Sequence, residues 1–155
     1  VTLAYFSFGS NMGDRGQYLR DAVPVVAAGE PYRLSSVYRT SPWGGVEQDD
    51  FWNLVLEVST TASPHELLVR AQAAEAAAER VRDERWGPRT LDVDIILMEG
   101  ITVSTPDLEV PHPRMHERRF VLEPLAELRP DLVSPAAMAA ADGDVMNLGT
   151  LESLH

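Results

Sequence analysis

Between Leu3 and Phe8 the chain is continuously apolar and aromatic, and the run stops at Gly9-Ser10-Asn11. A short apolar run closed by a turn signal predicts a buried strand. Asp14 then stands as a helix N-cap, with Gln17 in the capping-box position. Tyr18, Leu19, Ala22, Val23 and Val26 recur at helical spacing up to a stop at Gly29. Pro24 falls inside this pattern and is expected to kink or shorten the helix. Leu34 to Arg39 predicts a second strand. Thr40 to Asp50, with Pro42, Gly44 and Gly45, reads as a long polar loop of the kind that carries binding residues. In Phe51 to Thr60 the residues alternate: Leu54, Leu56 and Val58 point one way, Asn53, Val55 and Glu57 the other. This is the third strand.

Ser63-Pro64-His65-Glu66 is a helix start, with an N-cap serine, proline at the first helical position and glutamate at the third. Leu67, Ala71, Ala74, Ala78 and Val81 form its apolar stripe, and the helix is expected to end near Asp83. Arg85 to Arg89 reads as a second loop and Leu91 to Met98 as the clearest strand. A brief extended piece follows at Leu108 to Val110. Arg114 to Leu128 predicts a further helix, interrupted near Pro124, and Pro135 to Ala141 a helical turn. The order β-α-β-β-α-β, then a helical tail, predicts an α+β fold of the ferredoxin-like split βαβ type: a mostly antiparallel sheet with two helices packed on one face.

Composition narrows the classes. A chain of 155 residues, 45% hydrophobic and 24% charged, fits one globular domain. There is no Cys, which excludes a disulfide framework and cysteine-ligated metals. No apolar run approaches the roughly 20 residues of a membrane span, and no leader pattern opens the chain. A net charge of −11 opposes nucleic-acid and anionic-membrane binding. Yet all 13 basic residues are Arg, and seven of them fall between Arg80 and Arg119. Arg is the side chain suited to bidentate contact with phosphate or carboxylate.

The sharpest chemical signal is Leu91-Asp92-Val93-Asp94-Ile95. On a strand Asp92 and Asp94 share one face, about 7 Å apart, while Leu91, Val93 and Ile95 share the other. Such a pair either lines a solvated polar face or converges on hard divalent cations, for which Mg²⁺ is the expected metal. Arg80, Arg82, Arg85 and Arg89 precede the strand, and Arg114, Arg118 and Arg119 follow it. Folded over the Asp face they would build a polyphosphate site. The bland alternative is helix-surface pairing, for which Glu79 and Arg82 have the spacing. No glycine-rich phosphate loop is present.

A second set of residues suits a flat ring. Phe51 and Asn53 share a strand face, and Trp43, Trp52, Trp86 and Phe120 lie near loops or element ends. An Asn amide both donates and accepts, which matches a heterocycle edge, and stacked rings would hold its faces. Core packing is the competing explanation for Phe51 and Phe120. His112, between Pro111 and Pro113, is either a phosphate donor or a structural turn residue.

These residues together resemble the 6-hydroxymethyl-7,8-dihydropterin pyrophosphokinase family of folate biosynthesis. The likeness is carried by Phe8-Gly9-Ser10-Asn11-Met12-Gly13-Asp14, Tyr38-Arg39-Thr40, Phe51-Trp52-Asn53, the run from Arg85 to Ile95, and Val110 to Met115 continuing through Arg118 to Leu122. The resemblance implies one pyrophosphokinase domain over residues 1–155, transferring the terminal pyrophosphoryl group of ATP to the pterin hydroxymethyl with release of AMP. It implies two Mg²⁺ ions held by Asp92 and Asp94, with Arg80 and Arg89 joining them in catalysis. The pterin would lie between Phe51 and Phe120, with Asn53, Thr40, Trp43 and Gly44 at its edge. Arg82, Arg85, Trp86, Arg89, His112 and Arg118 would surround the triphosphate, with Gln72 and Glu75 nearer the nucleoside. Asp107 and Glu109 are acidic where some relatives place Arg and Thr.

The expected protein is thus a cytoplasmic monomer acting on two small molecules, with no nucleic-acid or membrane partner. Two other readings compete with it. Nucleotidyl transfer on the same fold also uses a strand D-x-D, and a non-catalytic ligand sensor would bind nucleotide without turnover.

Overall fold

In a computed structural model, residues 1–11, 13–40, 50–80 and 91–154 are described, Arg80 by its backbone alone. Thr2–Ser10 forms β1, Phe51–Thr60 β4 and Asp92–Met98 β5, with β1 central and antiparallel to both. Tyr32–Leu34 (β2) and Val37–Thr40 (β3) pair with β4 one after the other along the same edge, and Val145–Gly149 (β8) closes the sheet beyond β3. The strand order β5-β1-β4-β3-β8 keeps the expected split βαβ arrangement. A small hairpin, Val103–Thr105 (β6) with Leu108–Val110 (β7), stands apart.

Helices α1 (Arg15–Ala27) and α2 (Pro64–Arg80) cover one face of the sheet. Leu19, Val23 and Val26 of α1 and Leu67, Ala71, Ala74 and Ala78 of α2 pack on Phe6, Phe8, Leu54, Leu56, Val93 and Ile95. The stripe of small alanines predicted for α2 lets that helix sit close on the sheet. Each start follows its cap: Asp14 accepts from the Gln17 N–H at 3.1 Å, and the Ser63 hydroxyl from the Glu66 N–H at 3.2 Å. The Gln17 side chain turns to Asp21 instead of closing a capping box. Pro24 does not shorten α1, which runs on to Ala27. It lies on the exposed face, where the carbonyl deprived of a donor can meet water.

The opposite face is not left bare, as a two-helix arrangement would leave it. Helix α3 (Arg119–Leu128) lays Val121, Leu122 and Leu125 on Tyr5, Val55 and Ile96, with Met115, Val133 and Ala141 around them. It covers only half of that face. Along β1 the residues pointing this way run Leu3, Tyr5, Ser7, Gly9; along β4 they run Glu57, Val55, Asn53, Phe51; along β5 they run Ile96, Asp94, Asp92. Along β1 and β5 bulky side chains at one end thus give way to small and polar ones at the other, while β4 puts Glu57 at the covered end and Phe51 at the open one. Apolar burial drives α3 onto the first end and gives it little to cover at the second.

The helix expected over Arg114 to Leu128, with an interruption near Pro124, runs through Pro124 and is broken at Arg118 instead. Met115–Glu117 is a single 3₁₀ turn, Arg118 is extended (φ −116°, ψ 110°), and only then does α3 begin. The backbone here is used by the tail: the Arg119 N–H donates to the Asp142 carbonyl and the Asp142 N–H to the Glu117 carbonyl, both at 3.0 Å. The second strand is also divided. Buried Ser35 interrupts it, its hydroxyl accepting from the Val55 N–H at 2.8 Å while its own N–H donates to the Val55 carbonyl at 2.9 Å. Helix α4 (Pro135–Ala140) matches the helical turn expected there; β8 and β6 were not expected.

Candidate active site

Among the described residues, the end of the sheet beyond α3 is the floor of a cavity of about 870 Å³. Ser7, Gly9, Phe51, Asn53, Asp92 and Asp94 rise from β1, β4 and the edge strand β5. Arg118 and Phe120, from the break before α3 and its first turn, form one wall, and Asp142 of the tail stands with them. Phe51 and Asn53 therefore do share a face and open into one space with Phe120, as a flat-ring pocket requires. Trp52 does not join them; alternation turns it to the other face, where it packs against the helix-side core.

Asn53 is 3% exposed, and its amide N–H₂ donates to the Thr40 hydroxyl at 2.9 Å across the β3–β4 ladder. That bond fixes which way the amide faces. Its oxygen points toward Gly9, the β1 residue opposite, where a Cβ would lie 2.7 Å from it. Glycine is required there by closeness of approach, not by backbone conformation.

Asp92 stands opposite Gly9 and Asp94 opposite Ser7 on the neighbouring strand. Asp92 is half-buried and Asp94 exposed, while Val93 between them is in the core. The strand that carries them is an edge, and Glu75 of α2 accepts its outward Val93 N–H at 3.1 Å. Beyond Asp94 the β1–β5 register slips at Ile96, whose carbonyl accepts from the His112 N–H at 2.8 Å. The bulge thereby ties the His112 turn to the strand of the two aspartates.

A second cavity, of about 400 Å³, lies on the other side of that turn, against Leu68, Thr105, Asp107, Glu109 and His112. Asp94 lines both cavities. The His112 Nδ1 accepts from the Arg114 N–H at 3.1 Å, so the neutral ring presents Nε2–H as its donor. Burial pulls the His112 pKa down; the Asp94 charge opposes this and the Arg118 and Arg114 charges reinforce it. Arg118 also lies over the Phe120 ring, its guanidinium carbon 5.7 Å from the centroid.

Other expected positions fall elsewhere. Gln72 is exposed on α2, one turn before Glu75. Trp43, Gly44, Arg82, Arg85, Trp86 and Arg89 lie outside the described residues, as does the side chain of Arg80. Gly9, Ser7 and Asp142 were not singled out as site residues. The fall from bulky to small residues along one face of β1 would have pointed to the first two. No local signal marks Asp142, which arrives through the tail.

The aspartate pair suits a hard cation. Among the described residues no three His, Asp or Glu side chains converge closely enough to hold an ion alone. Two carboxylates facing an open cavity would leave coordination positions for phosphate oxygens and water, which is the habit of Mg²⁺. Among the described residues, too, no helix is long and apolar enough to cross a membrane.

Residues 5–130 match the family described as 7,8-dihydro-6-hydroxymethylpterin-pyrophosphokinase. The 2-amino-4-hydroxy-6-hydroxymethyldihydropteridine pyrophosphokinase of Bacillus subtilis is 45% identical over 143 residues, covering 90% of this chain and 86% of that one. The protein of the same name from Methylorubrum extorquens is 46% identical over 136 residues, 86% of each. Among solved structures, a Plasmodium falciparum HPPK-DHPS chain superposes with a TM-score of 0.63 at 14% identity, over 83% of this chain. This chain spans 42% of that larger one, and the likeness concerns the fold.

Proposed function

The chain belongs to the 7,8-dihydro-6-hydroxymethylpterin-pyrophosphokinase family, and from that premise we propose how its two cavities divide the reaction. It is a pyrophosphokinase of folate biosynthesis. The pterin alcohol occupies the larger cavity, its ring between Phe51 and Phe120 and its edge against Asn53. ATP enters from the smaller one, with its phosphates passing His112 and Arg118 toward Asp94. The single observation behind this division is that Asp94 borders both spaces. Two reactants placed there meet at one charged group.

The residues then have separable tasks. Phe51 and Phe120 hold the ring faces. Asn53, its orientation set by Thr40, reads the edge. Stacking and edge recognition bring the hydroxymethyl oxygen into line with the β-phosphorus of ATP, and AMP leaves from the far side. Holding two reactants in that geometry supplies a large part of the rate. Asp92 and Asp94 would hold two Mg²⁺. When bound, these would neutralise phosphate charge and lower the pKa of the attacking hydroxyl. Arg118, and Arg80, Arg82, Arg85 and Arg89 from the sequence, would stabilise charge on the transferring group. Trp43, Gly44, Trp86, Gln72 and Glu75 complete the proposed substrate contacts. The same reading has the enzyme acting as a cytoplasmic monomer on two small molecules.

A coupled assay of AMP release, run with the pterin alcohol and ATP with and without Mg²⁺, tests the proposal. AMP and the pterin diphosphate should form together and only with a divalent cation. Turnover that persists after chelation would remove the metal assignment, and release of ADP or inorganic pyrophosphate would remove the reaction.

A further inference from the structure

From the contacts at the first turn of α1, we infer that Arg15 is a positioning residue for the pterin, although it does not line the cavity. The inference rests on the reading that the pterin stacks on Phe51. Arg15 makes two contacts, one on each side of that residue. Its Nη1 donates to the Asp50 carbonyl at 2.6 Å, and its guanidinium carbon lies 4.8 Å from the centre of the Trp52 ring. The Asp50 carbonyl belongs to the peptide unit that leads into Phe51. Trp52 is the next residue, and strand alternation sends its ring to the helix side while Phe51 points into the cavity. One guanidinium therefore holds the peptide plane before Phe51 and the side chain after it.

Neighbouring contacts stiffen the same corner. Arg39 pairs with the Asp50 carboxylate at 3.5 Å. Thr40 stands opposite Phe51 in the β3–β4 register, and the Thr40 hydroxyl receives the Asn53 amide. Gly16 brings α1 close: a Cβ on it would lie 3.4 Å from the Trp52 ring. Phe51 is the first residue of β4, so the ladder supports it from one direction only. Among the described residues, Arg15 adds a constraint on that backbone from the helix side. Arg suits the task because its planar fork can donate at its edge while its face lies on an indole.

The test compares Arg15→Met, Arg15→Lys and Phe51→Ala with the parent protein. Fluorescent 6-hydroxymethylpterin is titrated in the presence of a non-hydrolysable ATP analogue, and steady-state kinetics and the unfolding midpoint are measured alongside. Arg15→Met should weaken the pterin about five- to tenfold in Kd and KM, the scale of losing one charge-assisted bond that orders a binding group. kcat and the KM for ATP should stay within about twofold. Arg15→Lys, which keeps a charged donor, should recover most of the affinity. Phe51→Ala separates the two levels of the reading. If it leaves pterin binding intact, the placement of the ring on Phe51 is wrong. If it weakens binding while Arg15→Met does not, the site stands and the role of Arg15 is overturned. Loss of folding by both Arg15 variants, or an equal fall in kcat and in affinity for both substrates, also overturns it, since Arg15 would then serve the fold generally.

Discussion

Gly9 and Asn53 face each other across the β1–β4 ladder so closely that a Cβ on the glycine would lie 2.7 Å from the Asn53 Oδ1. The amide cannot swing away without giving up its 2.9 Å bond to Thr40. Gly9→Ala should therefore raise the KM for pterin roughly tenfold or more, the scale on which a small misplacement of a binding group is felt. The KM for ATP should change little. Steady-state kinetics with each substrate varied in turn will show whether the loss falls on one substrate or on both.

Asp92 and Asp94 share a face and an open cavity, but only Asp94 reaches the second one. Asp92→Asn and Asp94→Asn should each lower kcat by about 10²–10⁴-fold, by analogy with the loss of a preorganised stabilising group. Pterin affinity should fall by no more than a few fold. Near-normal turnover of Asp92→Asn with Mg²⁺ and ATP would break the metal assignment.

At the covered end of the sheet, Glu57 is 6% exposed and accepts from the Tyr5 hydroxyl at 2.7 Å and from Arg33 at 2.7 and 2.9 Å. Arg129 in turn donates to the Tyr5 oxygen at 2.7 Å. Burial, with the Glu57 bond next, pushes the Tyr5 pKa up, so the hydroxyl remains a donor at any physiological pH. Glu57→Ala strands buried polar groups and should cost about 2–4 kcal/mol. Arg33 is 56% exposed, and Arg33→Ala should cost under about 1 kcal/mol. Urea titrations will rank the two, and kcat should hold for both.

Glu30 joins the end of α1 to α2 and β4. Bonds from the Thr60 hydroxyl and then from Arg70, each at 2.6 Å, hold its pKa down to about 2. An unfolded glutamate titrates near about 4.3. The unfolded chain thus takes up the proton first, and stability present above that pH is lost as the pH falls toward the folded value. Glu30→Gln should be less stable than the parent at pH 6 and should lose less on going from pH 5 to pH 3. Parallel slopes in the two proteins would show that Glu30 is not held in this way.

The element order, the capped starts of α1 and α2, the alternation of β4 and the shared face of Asp92 and Asp94 all follow from local pattern. Side-chain period and cap chemistry act over a few residues, so they are legible without the fold. The same holds for Phe51 with Asn53, which sit two positions apart on one strand. Residues that miss this reading depend on distant partners. Arg118 leaves the helix because its flanking backbone is bonded to Asp142 of the tail, and Ser35 breaks a strand because its hydroxyl receives a ladder N–H from β4.

Local pattern therefore determined which groups stand out along the chain: a carboxylate pair on one strand face, a run of arginines in the sequence, and an amide two positions from a ring. Only the tertiary structure decided that α3 leaves the end of its sheet face at Ser7, Gly9, Phe51, Asn53 and Asp92 to a cavity among the described residues. It alone set Arg15 against Trp52, brought Phe120 into the cavity that Phe51 lines, and put Asp94 on the border of two spaces. The physical reason is that cavities arise where packing of separate elements ends, and that boundary is a sum over contacts between residues far apart in the chain.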